Sequence, residues 1–308
     1  MKKATRQAYG EALEKLGHKN KKVVVLDADL AGSTKTSIFK KSFPDRFFDM
    51  GIAEAGMVDT AAGLAHTGKI PFASTFAIFG AGRAFEQVRQ SMAYQKANVK
   101  LVTTHGGISV GEDGGSHQAI EDIAIMRAIP NMTVILPADA TETEKVINVI
   151  SEYNGPVYVR LSRMNTEILF DENYKFEIGK GNLLEDGTDI TIIAMGIMVE
   201  EALNAQKILK EKGISAAVIN MASVKPIDEN LIVEYAKKTK AILTVEEHSY
   251  VGGLYGAVAE VVVKNQPVKM DFVAMNDSFG MSGKPADLMN HFNLTADAIV
   301  EKAVNLLK

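Results

Sequence analysis

The sequence contains no cysteine, which excludes disulfides and thiolate metal sites. It has no block of like charge, and the net charge is only −4 over 308 residues, so neither nucleic-acid binding nor membrane-surface binding is expected. No apolar run approaches the ~18 residues that a membrane span requires. The opening stretch, MKKATRQAYGEALEKL, lacks the apolar centre of a secretion signal and reads as an amphipathic helix. A soluble cytoplasmic protein is the expectation. Nucleotide and nucleophile motifs are also absent from the reading. No GxxxxGK[ST] phosphate loop occurs, and Gly80-Ala81-Gly82 is followed by Phe85 where a GxGxxG fingerprint needs glycine. No nucleophile elbow is read in the chain.

What is present fits a globular chain of about two domains, with 46% hydrophobic and 23% charged residues. Strand and helix patterns alternate. Continuous apolar runs at Val23–Leu26, Pro71–Ser74, Val99–Val102, Val134–Leu136 and Val157–Arg160 read as buried parallel strands. Phe47–Met50 adds a shorter one. Helices are expected over Thr5–Leu16, Ala53–Ala65, Ala84–Tyr94, Glu121–Arg127 and Glu142–Tyr153. A second alternation has strands near Ile190–Ala194, Ala216–Asn220, Ile242–Val245 and Lys269–Val273, with four further helices. The fold class expected is therefore two consecutive α/β domains. The first, residues 1–165, is a mostly parallel sheet flanked by helices. Residues 166–187 form a linker with a short hairpin, and residues 188–308 a smaller mixed α/β domain.

The chemistry concentrates in Thr103–Glu121, TTHGGISVGEDGGSHQAIE, where five glycines accompany His105, His117, Glu112 and Asp113. Such a run suits a loop at the carboxyl end of a parallel strand, where α/β sheets bind ligands. His117 with Asp113 forms a candidate proton-shuttling pair. Arg6, His105 and Arg163 form a candidate basic set, since guanidinium groups bind phosphate through a planar fork of donors. Glu54 lies among apolar or very small neighbours in Gly51-Ile-Ala-Glu-Ala-Gly-Met57. It is either a desolvated, protonated hydrogen-bond donor or a surface glutamate in a first helical turn. Phe76 and Phe79 either flank a planar ring or fill a core. No histidine spacing suggests a metal site. Glu246-Glu247-His248 reads as a loop at a strand end.

These pieces resemble the C-terminal half of transketolase over nearly the whole chain. The match is carried by Gly51-Ile-Ala-Glu54, Ser74-Thr-Phe76-Ala-Ile-Phe79, His105-Gly-Gly-Ile-Ser-Val-Gly-Glu-Asp113-Gly-Gly-Ser-His117-Gln and Leu161-Ser-Arg163. The resemblance implies thiamine diphosphate as cofactor and a two-carbon ketol transfer between sugar phosphates. It implies that Glu54 hydrogen-bonds the aminopyrimidine and that Phe76 and Phe79 pack on it. It places His117 beside the reacting carbon, Asp113 on a sugar hydroxyl, and Asp29 near the cofactor and a subunit contact. Arg6, Ser33, His105 and Arg163 match the positions that bind the sugar phosphate. The chain departs from the family in having Gly82 where a third aromatic often stands, and Ala53-Glu54-Ala55 where Arg-Glu-His is usual. It also lacks the Gly-Asp-Gly motif that starts the diphosphate- and metal-binding segment. A split enzyme is therefore expected. An N-terminal partner subunit would hold the diphosphate and its divalent cation (Mg2+ or Ca2+), in an α2β2 heterotetramer. The alternatives are a β-type subunit of a 2-oxo acid dehydrogenase, deoxyxylulose-phosphate synthase, or a non-catalytic assembly subunit.

Overall fold

A computed structural model describes residues 2–308. Seven strands form the first sheet, in the order Ser223–Lys225, Thr133–Ile135, Val157–Arg160, Lys100–Thr103, Ile70–Ser74, Val23–Asp27, Phe47–Asp49. All but the first of these run parallel to their neighbours. Every residue of Val23–Asp27, Lys100–Thr103 and Val157–Arg160 is buried. That burial is why these strands appear as continuous apolar runs rather than alternating ones: helices cover both faces of a parallel sheet. One such helix, Ala140–Glu152, starts where the Asp139 side chain accepts a hydrogen bond from the Glu142 amide, and it buries Val146, Ile147 and Ile150.

The second sheet has the order Lys269–Met275, Ala241–Ser249, Ile190–Ala194, Ala216–Asn220, Asn182–Glu185. Its last strand is antiparallel. The two halves are not separate bodies of structure. Ser223–Lys225, from the second half, completes the edge of the first sheet. One apolar cluster also joins Met126, Ile129 and Met132 to Met221, Leu254 and Val258.

Several local expectations change. The segment after residue 165 does not form a hairpin. Asn165–Glu167 pairs with Lys2–Ala4 in a separate two-stranded sheet, while Asn182–Glu185 pairs with Ala216–Asn220 at the edge of the second sheet. The helix expected over Ala84–Tyr94 starts earlier and is underwound and wider: Phe79–Arg83 and Val88–Tyr94 are π-helical, around a single α turn at Phe85–Gln87. Glu246–His248 is not a loop but the buried end of the strand Ala241–Ser249. No helix among the described residues is long and apolar enough to cross a membrane.

Candidate active site

The strand tips assemble the site. Asp27 is in register with Asp49 and Ser74, and Thr103 with Arg160, so five strands end at one edge. A single bridge, Phe76 to Thr104, holds the loop after Ser74 against the loop after Thr103. Helix Glu54–His66 begins beside them.

Glu54 is buried, but its surroundings are not purely apolar. The Arg83 Nη1 donates to both carboxylate oxygens at 2.9 Å. Both oxygens act as acceptors, as an ionised carboxylate does. Neither the apolar pocket nor the solvated surface read from the sequence describes this setting, which is a buried carboxyl against a half-exposed guanidinium. The Arg83 guanidinium also lies over the Phe79 ring, 4.5 Å from its centroid. Phe76 and Phe79 do not form two walls of an open slot. Their rings are nearly parallel, with centroids 6.0 Å apart and 13° between planes, which is offset stacking on each other. Phe76 is buried and stacks on His105 at 3.9 Å, leaving Phe79 half-exposed. Gly82 is exposed, and a Cβ added there would meet nothing within 4 Å.

The basic side is organised around His105. The Arg6 Nη1 lies 3.3 Å from His105 Nε2, and arginine can only donate, so Nε2 accepts. The proton then sits on Nδ1, 2.7 Å from the Thr104 hydroxyl. Burial, followed by the charges of Arg6 and Arg163, pushes the imidazole down to about 3, which keeps it neutral. Arg6 also donates to the Ser33 carbonyl at 2.9 Å, so Ser33 enters the site through its backbone. The buried Arg6 Nε has no hydrogen-bond partner among the described residues. Arg163 donates to the Val110 carbonyl at 2.8 Å and faces Asp113 at 3.6 Å and Glu112 at 3.9 Å.

Asp113 is thus turned to Arg163, not to His117, and the expected imidazole–carboxylate pair does not form. His117 is half-buried, with Nδ1 3.0 Å from the Ser116 hydroxyl and its ring edge-on to Phe79 at 5.4 Å. Asp29 is exposed, with φ 61°. The carboxyl that shapes its loop is Asp27, which accepts from the Leu30 amide and the hydroxyls of Thr34 and Thr36 at 2.6–2.8 Å. Burial raises Asp27 to about 6. Gly107–Gly111 does spell GxSxG, against the reading that no nucleophile elbow motif is present. Ser109 there lies in a 3-10 turn with its side chain buried, not raised on a strand-to-helix turn, so no elbow forms.

Sequence reasoning missed the residues that fix this loop from the second domain. Glu247 accepts from the Ser109 amide, and Arg160 donates to the Glu247 carbonyl at 2.8 Å. The Arg160 guanidinium also faces Asp122 at 3.7 Å and the Glu247 carboxylate at 4.0 Å. Burial raises Glu247, while Arg160 opposes that shift. Gly107 adopts φ 77°, and a Cβ there would overlap the Glu247 carboxyl. Glu246, beside it, accepts from the Leu254 and Tyr255 amides at 2.7 and 2.8 Å. Arg83 was also missed. Its one sequence signal is the four-residue spacing to Phe79 along a helical stretch.

Residues 1–168 match the transketolase pyrimidine-binding domain and residues 179–299 the transketolase C-terminal domain. Fold and site thus define the class: a two-domain α/β chain whose first domain is of the pyrimidine-binding kind. The chain belongs to the transketolase family. It is 54% identical, over 99% of its own length and 97% of the relative's, to a Methanocaldococcus jannaschii chain described as a transketolase C-terminal section. It is 40% identical to human transketolase, where it spans 99% of this chain but 49% of the human one. Among solved structures, a split-gene transketolase described as an inactive beta4 tetramer superposes with a TM-score of 0.91 at 51% identity, covering 99% of this chain and 98% of that one. These likenesses favour the transketolase subunit over the dehydrogenase and synthase alternatives.

Proposed function

We propose that this chain is the C-terminal subunit of a split transketolase, which moves a two-carbon ketol unit from a ketose phosphate to an aldose phosphate with thiamine diphosphate. One observation carries the reading. A continuous row of contacts, Glu54–Arg83–Phe79–Phe76–His105–Arg6, joins a buried carboxylate to a cationic pocket along a single edge of the sheet. A heterocycle held by a carboxyl at one end of that row would lie within reach of a phosphate bound at the other.

The residues present fit the pyrimidine end of the cofactor. Glu54 offers a buried carboxyl and Phe79 a half-exposed ring over which Arg83 lies, with Phe76 behind it. When bound, thiamine diphosphate supplies the nucleophilic carbon. Glu54 would orient the pyrimidine and take or give a proton at its ring nitrogen. His117, edge-on to the aromatic pair, would stand beside the reacting carbon, and Asp113 would hold a sugar hydroxyl. Arg6, Arg163 and neutral His105 would bind the sugar phosphate, the two guanidinium groups providing charge and the imidazole a fixed polar wall. Ser33 would contribute through its loop, and Asp29, exposed at the rim, through the cofactor or a subunit contact.

The diphosphate end requires another chain. The sequence has no Gly-Asp-Gly motif, and the cation of such a site needs several protein oxygens. We assign the diphosphate and its Mg2+ or Ca2+ to an N-terminal partner subunit in an α2β2 assembly. Ile52, 76% exposed and two residues from Glu54, leaves an apolar rim for that partner to cover.

The test is a pair of assays on this chain combined with a partner carrying the diphosphate-binding domain. Ketol transfer from xylulose 5-phosphate to ribose 5-phosphate is expected, and pyruvate decarboxylation is not. Decarboxylation without ketol transfer would reverse the assignment, and neither activity in a well-formed assembly would favour a non-catalytic subunit.

A further inference from the structure

We propose that Arg83 is a built-in stand-in for the cofactor's pyrimidine, which must leave Glu54 before the heterocycle can bind. The inference rests on the reading that Glu54 holds that ring. Three observations converge on Arg83. Its guanidinium is planar and lies on the Phe79 face, 4.5 Å from the ring centroid, where a flat heterocycle would stack. Its Nη1 occupies both oxygens of Glu54 at 2.9 Å, so the carboxylate has its acceptor sites engaged from the direction of the pocket. Beside it, Gly82 leaves the space of a side chain empty, so the guanidinium has room to lie in the pocket and room to leave it.

The energetics allow exchange. Glu54 is 2% exposed, whereas Arg83 is 50% exposed. Pulling the arginine away returns a half-hydrated cation to water and costs little. Leaving Glu54 without any partner would cost much more, because a buried carboxylate needs compensation. The pair therefore keeps the pocket filled and the carboxyl satisfied while no cofactor is present. The same arrangement lowers the apparent affinity of whatever competes for Glu54, in proportion to the fraction of chains in which Arg83 is docked. Arg83 acts on the cofactor through Glu54, so it is a positioning residue rather than a catalytic one. Phe79 and Arg83 are the first and last residues of one π-helical stretch.

A double-mutant cycle on the assembled enzyme tests this. Thiamine diphosphate, with Mg2+, is titrated calorimetrically into cofactor-free assemblies of wild type, Arg83→Gln, Glu54→Gln and the double variant. Arg83→Gln is expected to bind the cofactor about tenfold more tightly than wild type. Arg83→Lys, which keeps the charge but loses the planar face, should fall between them. In the Glu54→Gln background, Arg83→Gln should change the affinity less than about twofold, because the carboxylate it competes for is gone. Unchanged or weaker binding by Arg83→Gln overturns the proposal. So does equal tightening in the presence and absence of the Glu54 carboxylate. If Glu54→Gln alone binds cofactor like wild type, the role of Glu54 has failed instead, which separates the two outcomes.

Discussion

Two carboxylate–arginine arrangements flank the site, and they differ in what can leave. At the rim, Glu54 is 2% exposed but its partner Arg83 is 50% exposed. Between the domains, Arg160, Asp122 and Glu247 are all buried, and Glu247 additionally accepts from the Ser109 amide. The first is a buried charge with a removable counter-ion. The second is a network of three charged groups, all of them buried. Removing one member of a buried pair strands the other, whereas a pair with one wet partner contributes little. The rim is suited to exchange ligands, and the interior to hold the His105–Ser109 loop still. This gives the second domain a role beyond association, since it supplies the carboxylate that fixes the loop.

The sharpest way to break this contrast is Glu247→Ala. It should cost about 3–5 kcal/mol in urea unfolding, because Arg160 would be left buried with Asp122 alone; a loss under about 1 kcal/mol would mean the interior network is no firmer than the rim. Glu142 sharpens the contrast from another direction, as a fully buried carboxyl with hydroxyl, amide and backbone donors but no cation. Burial raises it from 4.5 to about 7. The folded chain therefore retains a proton there that the unfolded chain has lost. The stabilisation from this group is complete below pH 4.5 and disappears as the pH rises through about 7. Between pH 4.5 and 7.5, wild type should lose about 3 kcal/mol more stability than Glu142→Gln; parallel pH profiles for the two would contradict it. Gly107→Ala should cost about 2 kcal/mol, from its left-handed backbone and the overlap with Glu247, and a melt unchanged from wild type would show the loop is free to shift. The smallest effect is expected at the rim, where Glu54→Ala should alter stability by less than about 1 kcal/mol. A large loss there would make Glu54 part of the framework.

Much of the fold was legible because buried parallel strands cannot disguise themselves. Val23–Asp27 and Val157–Arg160 are apolar on both faces, and their runs have no polar alternation. Ser223–Lys225 was not legible, because three residues take their identity from the open edge of a sheet formed by the other half of the chain. Glu246–His248 looked like solvated loop for a related reason. Its side chains meet partners remote in sequence or backbone amides, and burial raises Glu246 to about 7 against two amide donors from the next helix. In the site, the residue types were visible but their pairings were not. Asp113 meets Arg163 instead of His117, and Glu54 meets Arg83 across a gap of 29 residues. Composition near Glu54 left a buried neutral acid and a surface glutamate both open, because its local neighbours are small and apolar and the guanidinium arrives from another element.

The most direct measurement is ketol-transfer turnover by the assembled enzyme carrying Glu54→Ala, with binding of the partner chain followed in parallel. Turnover should fall by about a hundredfold or more while the partner remains bound. Wild-type turnover in that variant would contradict the role given to this carboxyl.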